Sequence, residues 1–405
     1  MICSICSLLC DSDNLDEIQC IKRSAALARL DSIRGAVEGP LDTNVNSAAR
    51  LKATNERLVE SASLLKSAKR ILITGRIASV ATARSAVAFA KSHNATIDCA
   101  ESGHVFKNIL AIQRGGIYSV SLAEAREHTD LFLVIGNDSM QVAIPRMPLA
   151  LSNGKPRSQT VLLLGDFGTA AAEQWHKAGF DTWTVPCDLE NVPNALAKWF
   201  QWSEGMPRDG VDESSGVGPL FARLRQAMYT TVVWSAESLQ MEQADLWVER
   251  LLQWVAGRNE KNRCAALPWL SLDGTFQQVC TWLTGFPGRI DFRNGVPDYD
   301  PHKYSYQQWI ERTPDANCNE SVIVLIDETL APGDFLKPLE IQAAEGYSVI
   351  KLTARSEHFP TAVAGVETID DMFRADQTVL ARVLPSCERR SWVRPASDYL
   401  ERLSK

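Results

Sequence analysis

The chain has no run of about 18 to 20 uninterrupted apolar residues, the length a bilayer crossing needs. Its first residues also lack a basic stretch leading into an apolar run and a small-residue cleavage site. Both absences predict a cytoplasmic protein with no membrane partner. Histidine is scarce: His93, His104, His128, His176, His302 and His358 show neither H-x-H nor H-E-x-x-H spacing, so no zinc hydrolase site is written in the sequence. There is no G-x-S-x-G, and Ser102-Gly103-His104 is too local to form a Ser–His relay. The turn Gly75-Arg76-Ile77-Ala78-Ser79 lacks the further glycines and the lysine of a phosphate loop. Positive charge is in deficit, 42 Lys and Arg against 49 Asp and Glu for a net charge of -7. That balance argues against a nucleic-acid partner, which selects clustered basic surface.

What is present is an ordinary globular composition, 45% hydrophobic and 22% charged over 405 residues, long enough for two or three packed domains. Apolar groups at Leu51, Leu58, Ala62 and Leu65 fall at helical spacing, and RILIT then reads as a buried strand. The alternation continues through a helix over 79–92, strand TIDC, a helix near 105–113 and strands LFLVIG and TVLLLG. A helix over 169–178, strand DTWTVP and a helix over 189–202 follow. Strands this continuously apolar suit parallel sheets covered by helices on both faces, an α/β class. The segment 203–219, SEGMPRDGVDESSGVGP, reads as a linker. Beyond it come helix-like 220–228, TTVVWS, an amphipathic helix over 240–256, CAALPW, SVIVLID and YSVIKL. The expected division is therefore an N-terminal cysteine segment 1–50, a first α/β domain 51–202, the linker 203–219, a second α/β domain 220–354 and a short C-terminal segment 355–405.

Cysteine is unevenly spread. Four of the ten lie in the first twenty residues, and Cys3, Cys6 and Cys10 follow C-x2-C-x3-C, with Cys20 able to supply a fourth thiolate. Four thiolates suit a [4Fe–4S] cluster or tetrahedral zinc; the bland alternative is a set of reduced thiols at a chain end. The other six, Cys99, Cys187, Cys264, Cys280, Cys318 and Cys387, are scattered singly and read as small core residues. The aromatic-rich stretch 276–309 reads as a packed irregular segment with partial interface exposure.

C-x2-C-x3-C-D followed by another cysteine resembles the start of the large subunits of molybdopterin- and tungstopterin-dependent oxidoreductases, in particular the B subunit of formylmethanofuran dehydrogenase. Residues 95–138, ATIDCAESGHVFKNILAIQRGGIYSVSLAEAREHTDLFLVIGND, and 275–301, TFQQVCTWLTGFPGRIDFRNGVPDYDP, resemble that protein along their length, and 365–376, GVETIDDMFRAD, resembles it more weakly. The resemblance implies a multi-lobed molybdopterin-oxidoreductase-like fold.

It also implies where the chemistry should lie. The position of the family's metal-ligating cysteine or selenocysteine falls on His104, and the His-Gly-Pro that follows it is Val105, Phe106 and Lys107 here. Imidazole does not replace a soft thiolate on a high-valent metal. The pterin-binding turns are altered as well: Ile135-Gly136-Asn137-Asp138-Ser139 keeps Gly and Asn but not the family's Trp, Cys and Pro, and the D-P-R turn is Asp166-Phe167-Gly168. Asp138 and Asp166 would repel phosphates there. Only nine residues separate Cys10 from Cys20, fewer than the family's intervening hairpin.

Two readings follow. In the first, the chain is a non-catalytic structural subunit, similar to the B subunit of the bacterial formyltransferase/hydrolase complex. That complex takes formyl groups from a tetrahydromethanopterin carrier through a methanofuran-like cofactor to formate in one-carbon (formaldehyde) oxidation. The Mo/W-bis-pterin is then lost, and the partners are an amidohydrolase-like subunit, a formyltransferase and a third structural subunit. In the second, it is an active formylmethanofuran dehydrogenase B subunit with a metal-bis-pterin and an N-terminal [4Fe–4S] cluster.

Overall fold

A computed structural model describes residues 2–11, 19–38, 44–100, 102–152, 159–194, 196–197, 223–269, 274–312, 320–330, 347–356, 358–389 and 392–405. In chain order the elements begin with α1 (Ile21–Glu38), α2 (Asn44–Ser67), β1 (Arg70–Arg76), α3 (Val80–Ser92), β2 (Thr96–Ile97), α4 (Ser102–Gly115) and α5 (Leu122–His128). Next are β3 (Leu131–Asn137), α6 (Asp138–Ala143), α7 (Met147–Leu151), β4 (Thr160–Asp166), α8 (Thr169–Lys177), β5 (Asp181–Val185), β6 (Tyr229–Ser235), α9 (Ala244–Arg258) and β7 (Arg263–Trp269). The chain continues with α10 (Gly274–Thr284), β8 (Ile290–Asp291), β9 (Asp298–Tyr299), α11 (Tyr306–Glu311), β10 (Ser321–Asp327), β11 (Ser348–Thr353), β12 (Asp370–Phe373), β13 (Leu380–Val383) and α12 (Ala396–Leu403).

The chain divides into two compact units, one formed by Met1–Gly103 with Ser271–Lys405 and the other by His104–Leu270. The first holds a six-stranded sheet in the order β11-β10-β1-β2-β8-β9, in which β11, β10, β1 and β2 run parallel and β8 runs antiparallel to both of its neighbours, β2 and β9. The second holds a five-stranded, wholly parallel sheet, β5-β4-β3-β6-β7. Successive side chains of a strand point to opposite faces, and both faces of β1 are buried. Ile71 and Ile73 join Phe89, Ile97 and Phe276 on one face, while Leu72 meets Ile323, Leu325 and Trp309 on the other. Burying each such side chain contributes about 1.5 to 3 kcal/mol.

This division differs from the one expected along the chain. Strand β1, assigned to a first domain 51–202, pairs with β10 in register from Arg70↔Ser321 to Arg76↔Asp327. The unit 104–270 is thus inserted into the other rather than following it. The C-terminal segment 355–405 is no appendage either: α12 packs on α3 and α2, and its Tyr399, Leu400 and Leu403 lie in the same core as Ile71 and Phe89. Hydrophobic runs report that a strand is covered on both faces; they carry no information on which apolar strand it pairs with. The linker expected at 203–219 lies outside the described residues.

Glycine is required where the strands approach closely. Gly75 is the penultimate residue of β1, at φ 140°, and a Cβ there would stand 1.8 Å from the Ile326 carbonyl oxygen. Only a residue without Cβ fits that place. Of the six scattered cysteines, Cys99, Cys264 and Cys280 are buried as expected and Cys387 is half-buried. Cys187 is exposed, because it follows β5, the edge strand of its sheet. Cys318 lies outside the described residues. Among the described residues no helix is long and apolar enough to cross a membrane.

Candidate functional site

The N-terminal cysteines form a tight hairpin. Cys3 N–H donates to the Cys10 carbonyl at 2.8 Å and Leu9 N–H to the Cys6 carbonyl at 3.3 Å, with Leu9 in the left-handed region at φ 49°. Leu9 anchors the hairpin in a small core with Met372, Ala381 and Val383, and Ala375 N–H donates to the Ser7 carbonyl at 2.8 Å. Cys20 directly precedes α1, which is clamped at its other end by Arg34. That guanidinium donates to both oxygens of the Glu367 carboxylate and, at 3.0 Å, to the Thr361 carbonyl. The result is that Cys10 and Cys20 pack against Cys3. Burial pushes the Cys6 thiol up; Lys22 pulls it down, and Cys3 and Cys20 push it further up. All four thiols thus stand in one neighbourhood. Among the described residues, however, no group of three or more His, Cys, Asp or Glu is arranged closely enough to hold a metal ion. Packing proximity is a looser condition than ligation, which requires sulfurs about 2.3 Å from a common centre.

His104 lies in the first turn of α4, and Lys107 Nζ is 3.4 Å from its Nδ1. The same ammonium donates to the Leu239 carbonyl at 2.5 Å, and burial pulls the Lys107 pKa down. A cation held by backbone carbonyls beside the imidazole opposes a metal cation at that nitrogen. Sequence alone placed Lys107 in the altered motif without showing that its charge turns toward His104.

The turns expected to hold a pterin diphosphate sit at the carboxyl ends of β3 and β4, where open α/β sheets bind ligands. The residues present do not fit that group. A Cβ on Gly136 would lie 2.2 Å from Met140 Sδ and 3.4 Å from Ser238 Oγ, so the space beside this strand end is filled by the chain's own side chains. Asn137 Oδ1 accepts the Ser139 N–H at 3.0 Å and so caps α6. Asp138 Oδ1 accepts the Gly168 N–H at 3.0 Å, which places a carboxylate on the amide that opens α8. A helix start carries partial positive charge and attracts anions; here the anion is internal. Asp166, exposed at the end of β4, adds a second negative charge to the same rim.

A buried network that sequence reasoning missed lies in the unit built from the chain's two ends. Asp98, fully buried after β2, accepts from Ser102 Oγ at 2.7 Å and from the Tyr306 N–H at 2.9 Å, both on Oδ2. Arg289 Nε lies 3.8 Å from the same oxygen, and Arg289 Nη2 donates to Ser102 Oγ at 3.2 Å. Burial pushes Asp98 up to about 6, against the pull of Arg289. Arg289 also donates to the Pro301 carbonyl and holds φ at 51°. The network ties the segment entering α4 to the loop preceding α11. The one signal for it was Arg289 amid apolar residues in FPGRIDF, since a buried guanidinium demands an acidic partner; nothing local named Asp98.

No family model matches the chain. It is similar to the B subunit of the formyltransferase/hydrolase complex Fhc of Methylorubrum extorquens, 26% identical over 254 residues. That match spans 61% of this chain and 66% of the relative, just under two thirds of the relative's length. It also superposes on a chain of the crystal structure of the formyltransferase/hydrolase complex FhcABCD from Methylorubrum extorquens with methylofuran, at a TM-score of 0.68 and 19% identity, covering 87% of this chain and 95% of that one. The superposition establishes the shared fold, α/β with parallel sheets covered by helices. The expected resemblance to the B subunit of the formyltransferase/hydrolase complex therefore holds in sequence, and the fold is that of a chain of such a complex.

Proposed function

We propose that the chain is a non-catalytic structural subunit of a cytoplasmic formyltransferase/hydrolase complex. In this reading its partners, an amidohydrolase-like subunit, a formyltransferase and a third structural subunit, take formyl groups from a tetrahydromethanopterin carrier through a methanofuran-like cofactor to formate. The observation that carries the reading is the Asp138 carboxylate on the Gly168 amide, with Met140 filling the space beside Gly136. The place where the family resemblance puts a diphosphate is filled by the chain's own atoms, which fits a chain that shares the fold without the chemistry. The similarity to a B subunit of such a complex supports the same conclusion.

The gathered thiols favour the alternative, an active formylmethanofuran dehydrogenase B subunit, in one respect. Cys3, Cys6, Cys10 and Cys20 are the residues that would hold a [4Fe–4S] cluster, which when bound supplies one-electron transfer. Without a pterin beside it, such a cluster has no evident electron acceptor. The deciding experiment is metal analysis of the complex purified without oxygen. The structural reading expects no stoichiometric molybdenum or tungsten; about one per copy of this chain overturns it. Iron near four per chain assigns the cysteines to a retained cluster, and its absence assigns them to a vestige. A second test is His104→Ala, expected to leave formyl transfer and hydrolysis within about twofold of the parent; lost turnover in an assembled complex contradicts the reading.

A further inference from the structure

The first strand of the other sheet leads into a second turn of the kind that receives anions. β1 ends at Arg76, the chain turns through Ile77 to Ser79, and α3 begins, with Ser79 Oγ capping it by accepting the Thr82 N–H at 3.2 Å. Strand, tight turn and helix start in this order present backbone N–H groups to a phosphate in nucleotide- and dinucleotide-binding folds. Here those donors converge on one side chain. The N–H groups of Ala78 and Ser79 both donate to Glu328 Oε2 at 3.1 Å, Ser79 Oγ donates at 3.2 Å, and Thr82 Oγ1 donates to Oε1. Glu328 follows β10, the strand paired with β1, so its carboxyl group is delivered to the cradle from the neighbouring strand end. It is almost completely buried; the two backbone N–H groups and the Thr82 hydroxyl are committed to it, and the Ser79 hydroxyl is shared with Asp370.

We infer that Glu328 is an internal surrogate for a ligand's phosphate: its two oxygens occupy the cradle at the start of α3 and close the carboxyl end of this sheet to diphosphate ligands. The inference rests on the structural-subunit reading for its meaning, since only a chain that has given up its cofactor gains from closing the cradle. Two carboxyl groups stand in the same place. Burial and Asp370 both push the Glu328 carboxyl up, to about 8. Asp370 in turn accepts the Gly365 N–H at 3.0 Å and the Thr368 hydroxyl. An incoming diphosphate would have to displace one carboxyl group and tolerate the other.

The test compares thermal midpoints of the full chain with and without inorganic pyrophosphate at matched ionic strength, for the parent and for Glu328→Ala combined with Asp370→Asn. The second substitution removes the remaining charge while keeping an acceptor for Gly365. The parent is expected not to respond. The variant is expected to melt lower and to recover by about 2 °C or more on saturating pyrophosphate, as a ligand bound only to the folded state requires. A parent that responds as strongly as the variant, or a folded variant that does not respond, overturns the inference. Should the variant not fold, its refolding yield in pyrophosphate reads the same question, and no rescue overturns it. A parent that binds pyrophosphate in a complex free of molybdenum and tungsten would sink this inference and leave the structural-subunit reading standing.

Discussion

Buried charge is the most informative feature at the scale of single residues. Asp98 and Arg289 sit in the interior, and removing one member of a buried pair leaves the other uncompensated, at a cost of about 3 to 5 kcal/mol. The loss depends on pH because Asp98 titrates at about 6 in the folded state, above its ordinary 3.8. Arg289→Met is therefore expected to destabilise the chain by about 3 kcal/mol at pH 8, where Asp98 is ionised, and clearly less at pH 5, where it carries a proton. Chemical denaturation at the two pH values measures the difference, and equal losses would show that the pair is not the source. The sequence displayed Arg289 in an apolar context and Asp98 at the end of a short strand, but not their meeting. A contact between positions so far apart is created by sheet topology, which no local pattern encodes. His104 is the opposite case: its residue type alone set the expectation that the metal ligand is lost there, and the structure adds the Lys107 ammonium at 3.4 Å.

The strands and helices were legible because their physics is local. RILIT, LFLVIG, TVLLLG, TTVVWS, CAALPW, SVIVLID and YSVIKL are all found in strands. What could not be read was partnership, since parallel strands buried on both faces are nearly interchangeable in composition. The clearest consequence is α12. From the sequence alone it belonged to a short terminal segment, yet Tyr399, Leu400 and Leu403 are buried beside α3, and Tyr399 stacks edge-on against Phe359 at 5.5 Å. Leu400→Ala is expected to cost about 2 to 5 kcal/mol, measured as a fall in thermal midpoint; an unchanged midpoint would mean that α12 is not part of this core. In the aromatic segment 276–309, Phe276, Phe292, Tyr304 and Trp309 are buried, and Phe286 stacks on Tyr299 at 4.9 Å. Trp282 is 56% exposed at the end of α10 and contacts Phe373 edge-on at 5.3 Å. The packing expected of these aromatics is present, but the segment is not wholly irregular, since β8, β9, most of α10 and the start of α11 fall within it.

For the whole molecule, the distribution of titrating groups between the two units makes a prediction that neither unit makes alone. Asp98, pushed up to about 6, Asp327, also up to about 6, and Glu328, up to about 8, all lie in the unit formed by the two ends of the chain, and burial is the leading cause for each. A carboxyl group whose folded pKa exceeds its unfolded value binds more protons when folded, so its contribution is complete below the unfolded pKa and is lost as pH rises through the folded one. This unit should therefore lose stability between about pH 4 and pH 8, by up to about 1.4 kcal/mol per pH unit for each group where its effect is steepest. In the inserted unit the groups pushed highest, Tyr229 and Cys264, titrate near 12 and lie outside that window. Scanning calorimetry of the full chain between pH 5 and pH 8 is expected to show one component falling in midpoint as pH rises, and Glu328→Gln should flatten the upper half of that fall. A midpoint that rises over the same range would mean that these carboxyls are not held protonated by burial, and that the donors of the α3 cradle keep Glu328 charged.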